Sequence, residues 1–212
     1  IRWRYDKDKP DPNHPPADWW DGRPFDGTLL VAGEQGLGEE ILASCMFRDL
    51  LDMGQRTVVE CEPRLLPVFR RSFPGITFVP RWQGELERIA AVGGTCRRIK
   101  SLDLAYFLRR DEAVAQPAAW LVPYAHRVAE LRAEARTRWP GQRLLGVSWR
   151  SSREFLNGPD KSMPVQALAP LLSCADLACI DLQYGEHAAD IDALRQAGIS
   201  PPWQDSSLDA RD

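Results

Sequence analysis

Long apolar runs are missing from this sequence, and so is any excess of basic charge. No stretch approaches the roughly 18 apolar residues that a membrane-spanning helix needs, so a membrane span is not expected. The 27 basic and 30 acidic residues leave a formal net charge of -3. No overall positive field draws in nucleic acid or anionic lipid, and any bound phosphate must be held by a local site. Cysteine is sparse: Cys45, Cys61, Cys96, Cys174 and Cys179 form no Cys-x-x-Cys pair, which reads as free, mostly buried thiols of a cytoplasmic protein. Histidine is sparser still. His14, His126 and His187 lie too far apart for a zinc site, and each reads as a surface residue.

What is present is the balance of a folded globular chain, 212 residues with 44% hydrophobic and 27% charged. Residues 1–27 are rich in Pro, Asp and Trp and read as a lead-in that packs its tryptophans on the domain. Thr28 to Ala32 is a short apolar run flanked by glycines, the pattern of a strand buried on both faces. From Glu39, apolar residues recur at helical spacing through Leu51, and Gly54 is the stop. The alternation then repeats, with a strand over 57–61, a helix opened by Pro63 and reaching Phe73, a strand over 76–79 and a helix over 82–92. Residues 93–123 resist assignment, apart from a Gly-Gly turn, a basic cluster at Arg97, Arg98 and Lys100 and an apolar stretch from Leu102 to Leu108.

A long amphipathic helix is expected from Pro123-Tyr124 to about Trp139, closed by Pro140-Gly141. A fresh strand over 143–149, a polar loop over 151–164, a helix over 164–173, a strand over 178–183 and a helix over 187–197 restart the alternation, before a polar tail over 205–212. Alternating strands and helices imply a parallel sheet with helices on both faces. The expected organisation is therefore α/β: a Rossmann-like domain over 28–141 and the beginning of a second over 142–212. Two parallel strands are too few to close a core, so the second domain reads as incomplete. The start at Ile1 rather than Met likewise reads as a piece of a longer polypeptide.

The chemistry is expected at the turn Gly33-Glu34-Gln35-Gly36-Leu37-Gly38-Glu39, where strand one enters helix one. Glycines allow close approach of the backbone, helix amides favour an anion, and ligands of parallel sheets gather at the carboxyl ends of strands. The spacing is G-x-x-G-x-G, neither the dinucleotide fingerprint G-x-G-x-x-G nor a phosphate loop with Gly-Lys-Ser/Thr. A dinucleotide reading would call on Glu60 or Glu62 for a ribose. Glu39 and Glu40 have two readings: favourable placement against the helix dipole, worth roughly 0.3–1 kcal/mol, or a carboxylate beside a ligand as general base.

Trp20-x-Gly22, Leu29-Leu30-Val31 and Glu34-Gln35-Gly36-Leu37-Gly38-Glu39 together resemble the glycosyltransferase-like domain that follows tetratricopeptide repeats in many bacterial proteins. Pro123-Tyr124, Leu145-Gly146-Val147-Ser148-Trp149-Arg150, Lys161-Ser162-Met163-Pro164 and Asp181-Leu182-Gln183-Tyr184-Gly185 extend the resemblance in order, over about residues 19–212. The resemblance implies a two-domain GT-B architecture related to bacterial heptosyltransferases and, more distantly, to O-linked N-acetylglucosamine transferases. It implies acceptor binding by the first domain, nucleotide-sugar binding by the second, and inverting transfer that needs neither metal nor cofactor. A saccharide or protein is the acceptor class, and tetratricopeptide repeats are expected in the same parent chain.

By the same resemblance, Gly36, Leu37 and Gly38 form the ligand-facing turn, and Glu39 stands where the family carries its usual Asp, the position of the proposed base. Ser148, Arg150, Ser151 and Lys161 match the region facing donor phosphates, with Lys161 offering positive charge to the leaving diphosphate. Tyr184, with Gln183, ends the second strand toward the same side. Trp19 and Trp20 read either as packing residues or as platforms for a sugar. Two other readings stand beside the transferase: a non-catalytic interaction module that kept the fold, and a dinucleotide-binding oxidoreductase domain.

Overall fold

A computed structural model describes residues 18–34, 36–81, 94–109, 119–151 and 161–204. The readings that fall on Gln35, His14, the helix over 82–92, the middle of the 151–164 loop and the polar tail lie outside these residues. The chain divides into two compact units, Ile1–Pro123 and Tyr124–Asp212. The long helix expected to link the domains groups with the second.

The first unit is built on a four-stranded parallel sheet: β1 Thr28–Ala32, β2 Thr57–Cys61, β3 Thr77–Pro80 and β4 Cys96–Lys100, in the order β3-β2-β1-β4. Its helices among the described residues are α1 Leu37–Ala43, α2 Phe47–Asp52, α3 Leu66–Ser72 and α4 Leu104–Leu108. This is the Rossmann-like α/β arrangement expected from the alternation. All five residues of β2 are buried, as befits a strand with helices on both faces. Phe47, Phe69, Phe73 and Phe78 form a dry aromatic cluster with ring centroids 5.4 to 6.4 Å apart. Trp20 from the lead-in is fully buried, edge-on to Phe107.

Two details depart from the periodicity. The helix expected to run unbroken to Leu51 is interrupted by a 3-10 turn over Ser44–Met46. There the Ser44 hydroxyl donates to the Ile41 carbonyl (2.7 Å) and accepts the Trp120 indole N–H (2.9 Å), and side-chain bonding of this kind competes with the regular ladder. The unassigned 93–123 stretch supplies β4, hidden in the sequence because only Ile99 of that strand is buried. Arg97 and Arg98 of the basic cluster pair with Asp21 and Asp18, and Trp19 bridges to Arg98 along the strand.

The second unit holds α5 Ala125–Arg138, β5 Arg143–Val147, α6 Ala169–Leu172, β6 Leu177–Asp181 and α7 Ala188–Gln196. β5 and β6 pair in parallel, and Trp203 makes an isolated bridge to Ile180. A small core of Val147, Trp149, Val165, Leu168, Ile191 and Leu194 packs against one face. None of the residues of α5 is buried, and Val128, Leu131 and Ala135, three and four residues apart, are half-buried along one side of it. Its apolar positions are mostly alanine, which gives no wide stripe to bury. Among the described residues, no helix is long and apolar enough to cross a membrane.

Candidate functional site

In the first unit the chain runs from β1 to β2 to β3 and then returns to β4 on the other side of β1. The carboxyl end of β1 is therefore a topological switch point, where open parallel sheets bind ligands. The glycine turn leaves from this end. Gly33 is required by close approach, because a Cβ there would lie 2.8 Å from both Glu40 Oε1 and the Glu60 carbonyl oxygen. Gly38 differs: no heavy atom lies within 4 Å of the position its Cβ would take, and the residue is exposed.

Each acid of the turn has a distinct task. Glu34, buried, accepts the Leu102 N–H at 3.1 Å and so links the end of β1 to the turn that follows β4. Glu40, also buried, accepts the Glu62 N–H at 2.7 Å and pairs with the Arg81 guanidinium at 3.0 Å, which ties α1 to the ends of β2 and β3. Burial pushes the Glu40 carboxyl up, against the opposing pull of the Glu62 amide and Arg81. Burial, with Glu40 close by, also pushes the neighbouring Cys61 thiol up to about 12. Of the five thiols only Cys61 is fully buried, and Cys174 is exposed, so "mostly buried" does not describe them.

Glu39 is the half-exposed acid. Its Oε2 accepts the Gly36 N–H at 3.3 Å, a helix-capping contact within its own turn. Gly36, Leu37, Gly38 and Glu39 thus stand together at the switch point. Glu62, the candidate ribose ligand, is buried and paired with Arg64 at 2.9 Å and Arg81 at 3.6 Å, while Glu60 is buried within β2. Neither carboxylate has the exposure a ribose ligand needs. Trp20 is likewise closed to a sugar.

In the second unit the residues after β5 converge on one side chain. Gln183 Oε1 accepts the Ser148 hydroxyl (3.1 Å) and the backbone N–H groups of Trp149 and Arg150 (both 3.0 Å). Its Nε2 donates to the carbonyls of Arg150 (3.1 Å) and Tyr184 (3.0 Å). The Ser151 N–H donates to Ser162 Oγ (3.0 Å) and the Met163 N–H to the Trp149 carbonyl (2.8 Å), which returns the far end of the loop, with exposed Lys161, to its start. Ser148, Arg150, Ser151, Lys161 and Tyr184 are therefore gathered at the carboxyl end of the β5–β6 sheet. The amides of residues 149 and 150 are taken by Gln183, so the groups turned outward are side chains: Arg150, half-buried beside Asp190 at 3.5 Å, and Lys161.

A second cluster adjoins the first. Asp181 Oδ1 accepts the Gln183 N–H (2.8 Å), and Asp181 Oδ2 meets His187 Nε2 (2.8 Å) and Gln204 Nε2 (2.9 Å). His187 Nδ1 lies 2.6 Å from the Gly185 carbonyl oxygen. With its side chain only 15% exposed, His187 is not the surface residue expected, whereas His126 is exposed. Burial draws the His187 pKa down, but the Gly185 carbonyl and the Asp181 carboxylate outweigh it and hold the ring above its ordinary value. Spacing alone could not reveal this cluster. Its only trace in the sequence is an aspartate at a strand end, six residues before a histidine.

The chain is similar to Protein FlbA of Caulobacter vibrioides, with 26% identity over 205 residues that cover 91% of this chain and 34% of that protein. The chain thus spans about a third of the length of that relative. No family model and no solved structure matches the sequence.

Proposed function

We propose that the chain is part of a glycosyltransferase-like protein that moves a sugar from a nucleotide-sugar donor to a saccharide or protein acceptor, by inverting transfer without a metal. The observation that supports this reading is a pair of loops at carboxyl ends of parallel strands: the glycine turn in the first unit and the Ser148–Ser151 loop in the second. In the first, Glu39 is the half-exposed acid of the turn and takes the role of base once it releases the Gly36 N–H, 3.3 Å from its Oε2. In the second, Arg150 and Lys161 supply positive charge for a leaving diphosphate, with Ser148, Ser151 and Tyr184 beside them. Tetratricopeptide repeats in the parent chain and a cytoplasmic location belong to the same proposal.

The test is calorimetric titration of the intact parent protein with a panel of nucleotide sugars, repeated with Lys161→Ala and Glu39→Gln. Binding that weakens about tenfold or more in Lys161→Ala, with turnover but not binding lost in Glu39→Gln, supports the assignment. No binding across the panel overturns it. The reading as a non-catalytic interaction module has one observation in its favour, that Glu39 is spent on capping its own helix. It predicts that Glu39→Gln leaves every activity of the parent protein unchanged.

A further inference from the structure

Two N–H donors, from Gln183 and Gln204, and an imidazole ring share few acceptors beside β6, and their geometry favours a charged ring. Asp181 accepts from the Gln183 N–H through Oδ1 and from the Gln204 amide through Oδ2, so its carboxylate is acting as an acceptor on both oxygens. The Gly185 carbonyl can only accept. His187 lies between the two, with Nε2 at 2.8 Å from Asp181 Oδ2 and Nδ1 at 2.6 Å from the Gly185 oxygen. A neutral ring carries one N–H: with it on Nδ1, the Nε2 lone pair has the Gln204 amide at 3.2 Å as a donor but stands against the Asp181 carboxylate, and with it on Nε2, a bare lone pair faces the Gly185 oxygen. Only the imidazolium satisfies both oxygens.

The charges around the ring come from every element packed on it. Asp181 stands at the end of β6, and Asp190 in the first turn of α7 accepts the Trp149 indole N–H at 2.9 Å. Arg150, 3.5 Å from Asp190, opposes the ring's positive charge. The Trp149 ring meets the His187 ring edge-on at 5.5 Å. Glu186, Asp192, Arg195 and Gln204 border a recess of about 280 Å³ that His187 also lines, which gives the ring a route to exchange its proton with solvent.

We infer that His187 is a proton-operated clamp: doubly protonated, it joins the Gly185 turn to Asp181, and through the Asp181–Gln183 contact it holds the Ser148–Arg150 loop in order. The route is continuous, since the Asp181 oxygen that takes the Gln183 N–H positions the carboxamide that binds the Ser148 hydroxyl and both loop amides. Loss of the Nδ1 proton sets a lone pair against the Gly185 oxygen, and loss of the Nε2 proton sets one beside the Asp181 carboxylate with the Gln204 amide as the donor left to meet it, so either loss loosens the clamp. Because the ring's pKa is raised in the folded state, the clamp is fully engaged below the unfolded value of 6.5 and is lost as pH rises through the folded one. The inference concerns the loop itself and stands apart from the ligand the loop receives.

The experiment is nitrogen-15 NMR of the chain across pH 5.5 to 9.5, with the His187 signals assigned by their absence in His187→Gln. At pH 6.5 both ring nitrogens are expected to carry protons, with a midpoint above that value. Over the same pH range, exchange protection of the Trp149 and Arg150 amides, corrected for intrinsic base catalysis, is expected to fall by about tenfold or more. His187→Gln, which keeps an amide donor but cannot titrate, should lose this step, and Asp181→Asn should move the ring midpoint and the loop step to lower pH together. A His187 ring with a single proton at pH 6.5 overturns the inference. So does a loop indifferent to the titration, or a step that persists in His187→Gln. If the variants do not fold, the two measurements on the unaltered chain decide it.

Discussion

The two units use parallel strands in opposite ways. The first lays four strands over a dry aromatic cluster, and two of its buried acids, Glu34 and Glu40, tie the ends of its strands to neighbouring turns. The second has two paired strands, and its core is the six-residue group around Trp149. Leu144 and Leu182, in and just beyond its strands, are 53% and 55% exposed. There a carboxamide with five hydrogen bonds and a carboxylate with three donors do what apolar packing does in the first unit. Where apolar burial is scarce, polar side chains fix the shape, and the shape then answers to single atoms and protons.

The comparison is most strongly tested at the aromatic cluster. Phe47 is fully buried and touches the rings of Phe69, Phe73 and Phe78, so Phe47→Ala leaves a cavity and is expected to cost about 3–5 kcal/mol. Hydrogen exchange of the β2 amides, read as a global opening of the first unit, measures it. A loss near 1 kcal/mol would mean that this core is looser than its packing implies.

Gln183→Leu is the matching test in the second unit. It keeps the side-chain volume but strands the Ser148 hydroxyl and two amides without an acceptor, at an expected cost of about 2–4 kcal/mol. Gln183→Glu should fall between, because a carboxylate still serves the three donors but turns an oxygen toward the carbonyls of Arg150 and Tyr184. Exchange protection at Trp149 and Arg150 reads both. A leucine variant as stable as the parent would show that apolar packing, after all, defines this unit.

The cysteines offer a test with no effect on stability. Cys61, buried and with its thiol raised to about 12, should resist alkylation in the native protein, while exposed Cys174 reacts. Mass spectrometry of the alkylated peptides before and after unfolding checks it.

Every strand among the described residues except β4 was legible in the sequence, from the fully buried β2 to the largely exposed β5. Thr57 to Cys61 announces itself by composition, and β1 by its flanking glycines. β4 does not, because Arg97 and Arg98 serve an edge strand whose partners, Asp21 and Asp18, lie far off in sequence. The glycine turn was legible because close approach demands glycine locally, as at Gly33. By composition and spacing alone, Glu39 and Glu40 were equivalent. What separates them is the distance of the second to the Glu62 amide, a contact across 22 residues that local pattern does not carry. The Asp181–His187 pair stayed hidden for the same reason. It needs the turn at Gly185 to fold back on the strand before a histidine that reads as solvated becomes half-buried.

The smallest expected change in stability separates structure from ligand binding within the glycine turn itself. Gly33→Ala drives a Cβ to 2.8 Å from a backbone oxygen and from the buried Glu40 carboxylate, and should destabilise the first unit by about 1–3 kcal/mol. Gly38→Ala meets nothing within 4 Å. Alanine inside the first turn of α1 should instead stabilise by about 0.5–1 kcal/mol, since glycine gives up more chain entropy on folding. Thermal denaturation of the two variants gives both signs. A stability gain from alanine at position 38 would mean that the fold itself does not require the glycine there. If Gly38→Ala raises stability yet weakens nucleotide-sugar or acceptor binding by the parent protein, the bare backbone at that position is the surface a ligand approaches. If it raises stability with binding unchanged, ligand contact lies elsewhere along the switch point and Gly38 drops from the site.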